Sequence, residues 1–168
     1  MRNRLVNRPA LLTAFIFLAT PVADARGQAP EPPRTLTAVR LRADERVSVD
    51  GRLSEEVWRR ADPATGFLQE DPLNGEPATE PTEVRIVYDE RRIVVGVRCL
   101  DSEPDRLRGN QMQRDQSLGA DDRFMMAIDT YLDGRTGYYF EINPSGAMGD
   151  GLVVAGNADQ INRSWDGI

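Results

Sequence analysis

Apolar and polar residues alternate along two neighbouring segments in the middle of the chain, which is the pattern of half-buried β-strands. The segments are TEVRIVYD (82–89) and IVVGVRCL (93–100), and the polar residues 89–92 separate them. This arrangement predicts a β-hairpin. Each strand then has a more apolar face, formed by Val84, Ile86 and Tyr88 in the first and by Ile93, Val95, Val97 and Cys99 in the second. Gly96 predicts a bulge or a close approach by another segment.

A second hairpin is predicted between residues 123 and 144. RFMMAIDTY (123–131) and YYFEINP (138–144) flank the turn-forming residues LDGRTG. SGAMGDGLVV (145–154) predicts a further turn and strand, and residues 35–41 and 46–49 are shorter strand candidates. Strands at this spacing are typical of two stacked antiparallel sheets. We therefore expect an all-β fold, an antiparallel β-sandwich, with one short helix.

The helix is predicted just after a turn at Asp50-Gly51, in the segment SEEVWRRA (54–61). Ser54 is a suitable N-cap, and two glutamates follow it at the positive end of the helix dipole. Leu53 and Trp58 have the spacing of a hydrophobic staple. We therefore expect Trp58, Leu53, Asp50 and Gly51 to be structural. The alternative is that Trp58 binds a ligand.

The N-terminal residues have the pattern of an export signal. A basic start is followed by the apolar run ALLTAFIFLAT (10–20) and by Ala-Asp-Ala at 23–25. We expect residues 1–25 to be a signal peptide, residues 26–34 a Pro-rich linker and residues 35–168 the domain. The protein would then be exported, to the periplasm, the outer membrane or the medium. An uncleaved membrane anchor is the alternative, although the run is short for a bilayer span.

Composition excludes several classes of function. The formal net charge is −6, which argues against a nucleic-acid partner. The chain has no His, so Ser-His and Cys-His nucleophile pairs and the usual zinc ligands are missing. Cys99 is the only cysteine, and it cannot form an internal disulfide.

Four motifs in order resemble carbohydrate-binding module family 9: VDGRLSEEVW, TEVRIVYDERRIVVGVRCLDSEP, DDRFMMAIDT and GYYFEINPSG. The resemblance is to family 9-like domains at the N-terminus of exported bacterial proteins with a C-terminal barrel-like region. It implies a non-catalytic carbohydrate-binding domain, linked to carbohydrate catabolism and O-glycosyl hydrolysis, with a polysaccharide or oligosaccharide as partner. The alternative is an interaction or plug domain of an outer-membrane β-barrel protein. The sequence ends within a motif of the family, so we expect the fold to be incomplete at its C-terminus.

Candidate sugar contacts lie on the second hairpin and near the end of the sequence. Alternation places Tyr139, Glu141 and Asn143 on one face of their strand. By the resemblance, Asn143 matches a family sugar contact, whereas Gly119 and Met125 replace a stacking tryptophan and a glutamate. Trp165 is a further candidate stacking platform. An ordinary hydrated sheet face is the alternative for the row.

Asp121, Asp122 and Asp129 are candidate calcium ligands, since carboxylate oxygens suit this ion and family 9 modules are known to hold calcium. The alternative for these residues is a solvated loop end. Glu55 and Glu56 together with Asp121 and Asp122 could also be considered a glycosidase pair. The glutamates are better explained by the helix N-terminus, so we expect no catalysis from this chain alone.

Overall fold

The structure, a computed structural model, describes residues 34–154, 157–165 and 167. The expected signal peptide and most of the expected linker lie outside these residues. Residues from Leu36 onward form one compact unit. The fold of the described residues is all-β, with one short helix and a 3-10 turn at Pro104–Arg106, and its strands form two sheets. No helix among these residues is long and apolar enough to cross a bilayer.

The first sheet contains three strands in the order β1-β2-β3. β2 (Thr82–Tyr88) and β3 (Ile93–Cys99) form the predicted antiparallel hairpin, in the register that pairs Ile86 with Val95. The expectation for residues 35–41 was wrong in extent and direction. Only β1 (Val39–Arg40) is a strand, and it pairs with β2 in parallel. Residues 46–49 form no strand, because Val47 packs into the core from a loop.

The second sheet contains four antiparallel strands in chain order. Its strands are β4 (Phe124–Ile128), β5 (Gly137–Ile142), β6 (Met148–Val154) and β7 (Asn157–Asn162). The β4–β5 hairpin and β6 confirm the sequence prediction. The strand β7 was not predicted, because NADQIN has a single β-branched residue and none of the aromatic residues that favour strands.

The helix α1 (Glu56–Arg60) begins one residue later than predicted. Its N-cap is Glu55, not Ser54, and the cap makes no side-chain capping bond. The Glu55 carboxylate instead accepts hydrogen bonds from the Ser48 backbone N–H, at 2.9 Å, and from the Trp58 indole Nε1, at 3.1 Å. This longer side chain can reach both donors, so a contact with the core residue replaces the local cap. The turn before the helix has the expected form, with Gly51 at φ 78° and Arg52 N–H bonded to the Asp50 carboxylate.

Trp58 lies at the centre of the core that joins the helix to the first sheet. It is 4 % exposed and packs in a cluster with Leu41, Val47, Val57, Ala61 and Val87. Its ring lies directly on Gly96 of β3, where a Cβ atom would come within 2.8 Å of the ring and of Leu53. Gly96 therefore marks a close approach by another segment, which was one of the two predictions made for this glycine. The helix covers the sheet face that carries Val87, Val94 and Gly96, opposite the face that carries Ile86 and Val95.

We expect Trp58→Ala to lower the free energy of unfolding by about 3–5 kcal/mol, as for other large buried aromatic residues. The exposed aromatic Tyr131 supplies a matched control, and Tyr131→Ala should change stability by less than about 0.5 kcal/mol. Urea denaturation of both variants measures the difference. Equal midpoints would show that Trp58 does not hold the helix to the sheet.

Candidate functional site

The row of Tyr139, Glu141 and Asn143 lies on one face of β5 and its end, as the alternation predicts. The three residues are nevertheless buried, with exposures of 6 %, 2 % and 4 %. They therefore form neither an open recognition strip nor a hydrated sheet face in this structure. Charged side chains and a long loop cover the row, so a sugar could reach it only by displacing them.

Glu141 is the centre of a buried ion network. Its carboxylate accepts hydrogen bonds from Arg123 Nη1 at 3.1 Å, from Arg163 Nη1 and from Tyr139 Oη at 2.9 Å. The Arg163 guanidinium also lies over the Tyr139 ring, 5.6 Å from its centroid. Burial, and then the bond to Glu141, raise the pKa of the Tyr139 hydroxyl. Two cations and a hydroxyl thus compensate one buried carboxylate, as a charge removed from water requires.

Gly149 of β6 makes room for this network. A Cβ atom at Gly149 would lie 3.0 Å from Glu141 Oε1 and 3.4 Å from Arg163 Nη1. Glu141 and Tyr139 were predicted site residues, whereas neither arginine was. Arg123 comes just before β4 and Arg163 just after β7, and neither belongs to a recognisable motif. The one available signal was the glycine opposite Glu141, which becomes informative only when the strand register is known.

Asn143 fastens a loop to the end of β5. Its side-chain amide donates to the Gln111 carbonyl at 2.8 Å and to the Asp121 carboxylate at 2.9 Å. Its side-chain oxygen accepts the Ala147 N–H at 2.9 Å. Asp121 also accepts from the backbone N–H groups of Gln111 and Asn110, and these bonds, in that order, lower the pKa of Asp121. Asn143 and Asp121 therefore have structural partners that occupy the atoms a ligand would use.

The three candidate calcium ligands are not brought together. Asp121 and Asp122 precede β4 and Asp129 follows it, at opposite ends of a five-residue strand. Asp122 accepts the Arg108 N–H at 2.7 Å, and Asp129 accepts N–H groups of the β4–β5 turn, including that of Gly134 at 2.8 Å. No group of three or more Asp, Glu, Cys or His residues suited to a metal ion occurs in the described part of the chain. The aspartates order two separate turns here.

We expect the melting temperature to be the same in millimolar calcium and in chelator, because these carboxylates already accept backbone N–H groups. A ligand that binds only the folded state would raise it. A calcium-dependent rise that Asp122→Asn abolishes would contradict this expectation and restore the calcium site. Glu56→Gln, a change of equal charge on an exposed carboxylate, is the control.

Trp165 lies against Tyr138, on the opposite face of β5 from Glu141. The ring centroids are 5.0 Å apart and the planes are tilted by 47°. Both residues are half-buried, so part of this aromatic pair remains accessible. Among the residues selected from the sequence, Trp165 is the aromatic that a sugar could contact without unfolding a buried network.

An apolar groove lies between the two sheets, with a volume of about 360 Å³. The inter-sheet groove is lined by Ile93, Val95 and Val97 of β3 and by Phe124, Met126, Phe140, Ile142 and Met148 of the second sheet. Several of these side chains are open to solvent, with exposures of 61 % for Ile93 and 41 % for Ile142. A smaller cavity of about 250 Å³ is lined by residues from both faces of β3, along the outer edge of this strand. Among the described residues, β3 pairs only with β2.

The two carboxylate pairs considered for glycosidase chemistry have other partners. Glu55 bonds to Ser48 and Trp58, and Glu56 forms an exposed ion pair with Arg59 at 2.9 Å. Asp121 and Asp122 hold the loop before β4, as described above. Hydrogen bonds lower the pKa of Glu55 and of Asp121, with the Ser48 N–H and the Gln111 N–H as the largest causes. A general acid requires the opposite shift.

Comparisons of the chain with protein-family models, with curated proteins and with solved structures found no match.

Proposed function

We propose that this chain is a non-catalytic carbohydrate-binding domain of an exported protein, built as a family 9-type β-sandwich. The proposal rests on the ordered motifs, which fall on α1, on the β2–β3 hairpin, on β4 and on β5. The two all-β sheets are compatible with such a sandwich. The protein would then serve carbohydrate catabolism by holding an associated glycoside hydrolase near its polysaccharide.

The proposed sugar contact is the Tyr138–Trp165 pair. Sugar rings stack on accessible aromatic faces, and this pair is half-buried, whereas Trp58 and Tyr139 are closed to ligands. One stacking contact contributes about 1–3 kcal/mol by analogy with base stacking. A single platform therefore supports only weak binding, and we expect dissociation constants of about a millimolar.

Titration calorimetry with xylohexaose and cellohexaose tests this function. We expect weak binding that Trp165→Ala reduces by about tenfold or more, corresponding to the loss of one stacking contact. Tyr131→Ala, which removes a more exposed aromatic ring, is the control and should leave binding unchanged. The function would be refuted if neither sugar binds at tens of millimolar. Binding that survives Trp165→Ala would place the sugar on another surface.

The inter-sheet groove favours a second function, that of an interaction domain for an outer-membrane β-barrel protein. A free strand edge beside an apolar groove suits an added extended segment, whose backbone bonds the edge and whose alternate side chains enter the groove. We propose a segment of the same complete protein, with apolar residues at every second position, as the occupant. This function requires no sugar.

Amide hydrogen exchange tests the second function. In the isolated domain, we expect the β3 amides that face the open edge to exchange quickly. In the complete exported protein they should be protected at least tenfold, because an added strand would bond them. The β2 amides that bond to β3 are the internal reference. Equal exchange of β3 in the two proteins would exclude strand addition.

A further inference from the structure

Five arginines surround one cleft at an end of the first sheet. The arginine cleft has a volume of about 880 Å³ and is lined by Arg40, Arg42, Arg46, Arg91 and Arg92, together with Glu45, Asp89 and Glu90. The parallel β1–β2 pairing creates it, because it brings the loop after β1 beside the β2–β3 turn. The Leu41 N–H bonds to the Tyr88 carbonyl at 2.8 Å at this junction.

Each carboxylate of the cleft already has a cationic partner. Glu45 pairs with Arg60, which does not line the cleft, while Asp89 pairs with Arg92 and Glu90 pairs with Arg40. Asp89 additionally accepts the Arg91 N–H, the largest of the causes that lower its pKa, and the Arg92 N–H. Hydrogen bonds lower the pKa of Asp89 and of Glu45, and the Arg42 guanidinium is a smaller cause at Glu45. The cleft therefore holds five arginines for three carboxylates, one of which, Glu45, forms its ion pair with an arginine outside the cleft.

Three arginines carry this excess. Within the described residues, no carboxylate forms an ion pair with Arg42, Arg46 or Arg91. Arg46 donates only to the neutral carbonyl oxygens of Ala43 and Glu45, at 2.9 and 2.7 Å. The chain as a whole has a net charge of −6, so its overall field repels anions and a local basic cleft stands out against it.

We propose that the arginine cleft binds a linear oligoanion, a ligand with two or more neighbouring carboxylate or phosphate groups. Guanidinium groups present paired N–H donors that match the two oxygens of such groups. Several arginines along one cleft suit a ligand that carries several negative groups in a row. The cleft is also larger than a single small ion would fill. The site is independent of the Tyr138–Trp165 pair and of the inter-sheet groove.

Titration calorimetry at low ionic strength tests the site, with trigalacturonate and tripolyphosphate as ligands and neutral cellotriose as the uncharged control. We expect at least one anion to bind, and the double variant Arg42→Gln/Arg91→Gln to weaken it about tenfold, which corresponds to two exposed charge contacts. Raising the salt should weaken binding as well, since the Debye length falls to about 10 Å at 0.1 M.

The matched control is Arg59→Gln/Arg106→Gln, which makes the same change in net charge at two exposed arginines outside the cleft. It should change the affinity less than twofold. Binding of trigalacturonate alone would identify an acidic saccharide as the source of the anion, and binding of tripolyphosphate alone would identify a phosphate. The proposal is overturned if neither anion binds, if both double variants weaken binding equally, or if cellotriose binds as well as the anions.

Discussion

The contact between Trp58 and Gly96 is the constraint on which the arrangement of the first sheet depends. A three-stranded sheet has two faces to cover, and α1 is the only α-helix among the described residues. Because β3 carries no side chain at residue 96, the indole can lie on the strand backbone, and the short helix comes close enough to bury Val57, Ala61 and Val87. Glu55 then fixes the indole by accepting its N–H. One face is thereby closed, and the opposite face, with Ile93, Val95 and Val97, remains open.

One face of the second sheet buries the charged residue Glu141. Arg123 and Arg163 cover this carboxylate, whose side chain has no exposure. Removing the partner of a buried ion pair typically costs about 3–5 kcal/mol, because it leaves a charge uncompensated. Here two arginines and the Tyr139 hydroxyl share that role for Glu141. The other face carries Phe124, Phe140 and Ile142, which border the inter-sheet groove, and also Asp150, which is buried and pairs with Arg114 at 3.1 Å. The part of this face that borders the groove is therefore apolar, while the polar residues that resemble a sugar site already bond to other residues of the chain.

Local sequence patterns predicted the elements but not what covers them. Alternation located both hairpins and placed Ile86 and Val95 on one face, because strand period is a property of the backbone. The parallel pairing of β1 could not be foreseen, as two residues carry too little pattern to show direction. The row of Tyr139, Glu141 and Asn143 was found for the same reason as the hairpins. Its burial depends on Arg123, Arg163 and the loop at 107–122, and these contacts are made between residues distant in sequence.

Arginine is the only basic residue type in the sequence, and it takes part both in the buried contacts and in the charged surfaces. Arg85 shows why the residue type matters, since its Nε donates to the Ala61 carbonyl at the end of α1 while its Nη1 pairs with Glu83. A lysine ammonium has no planar fork with which to bond a carbonyl and a carboxylate in fixed directions. In the ion network around Glu141, the guanidinium groups of Arg123 and Arg163 donate to a buried carboxylate of the same chain. In the arginine cleft the fork is turned toward solvent beside acids that already have partners. The inward arginines therefore hold the fold, and the cleft arginines retain donors for an oxyanion from outside the chain.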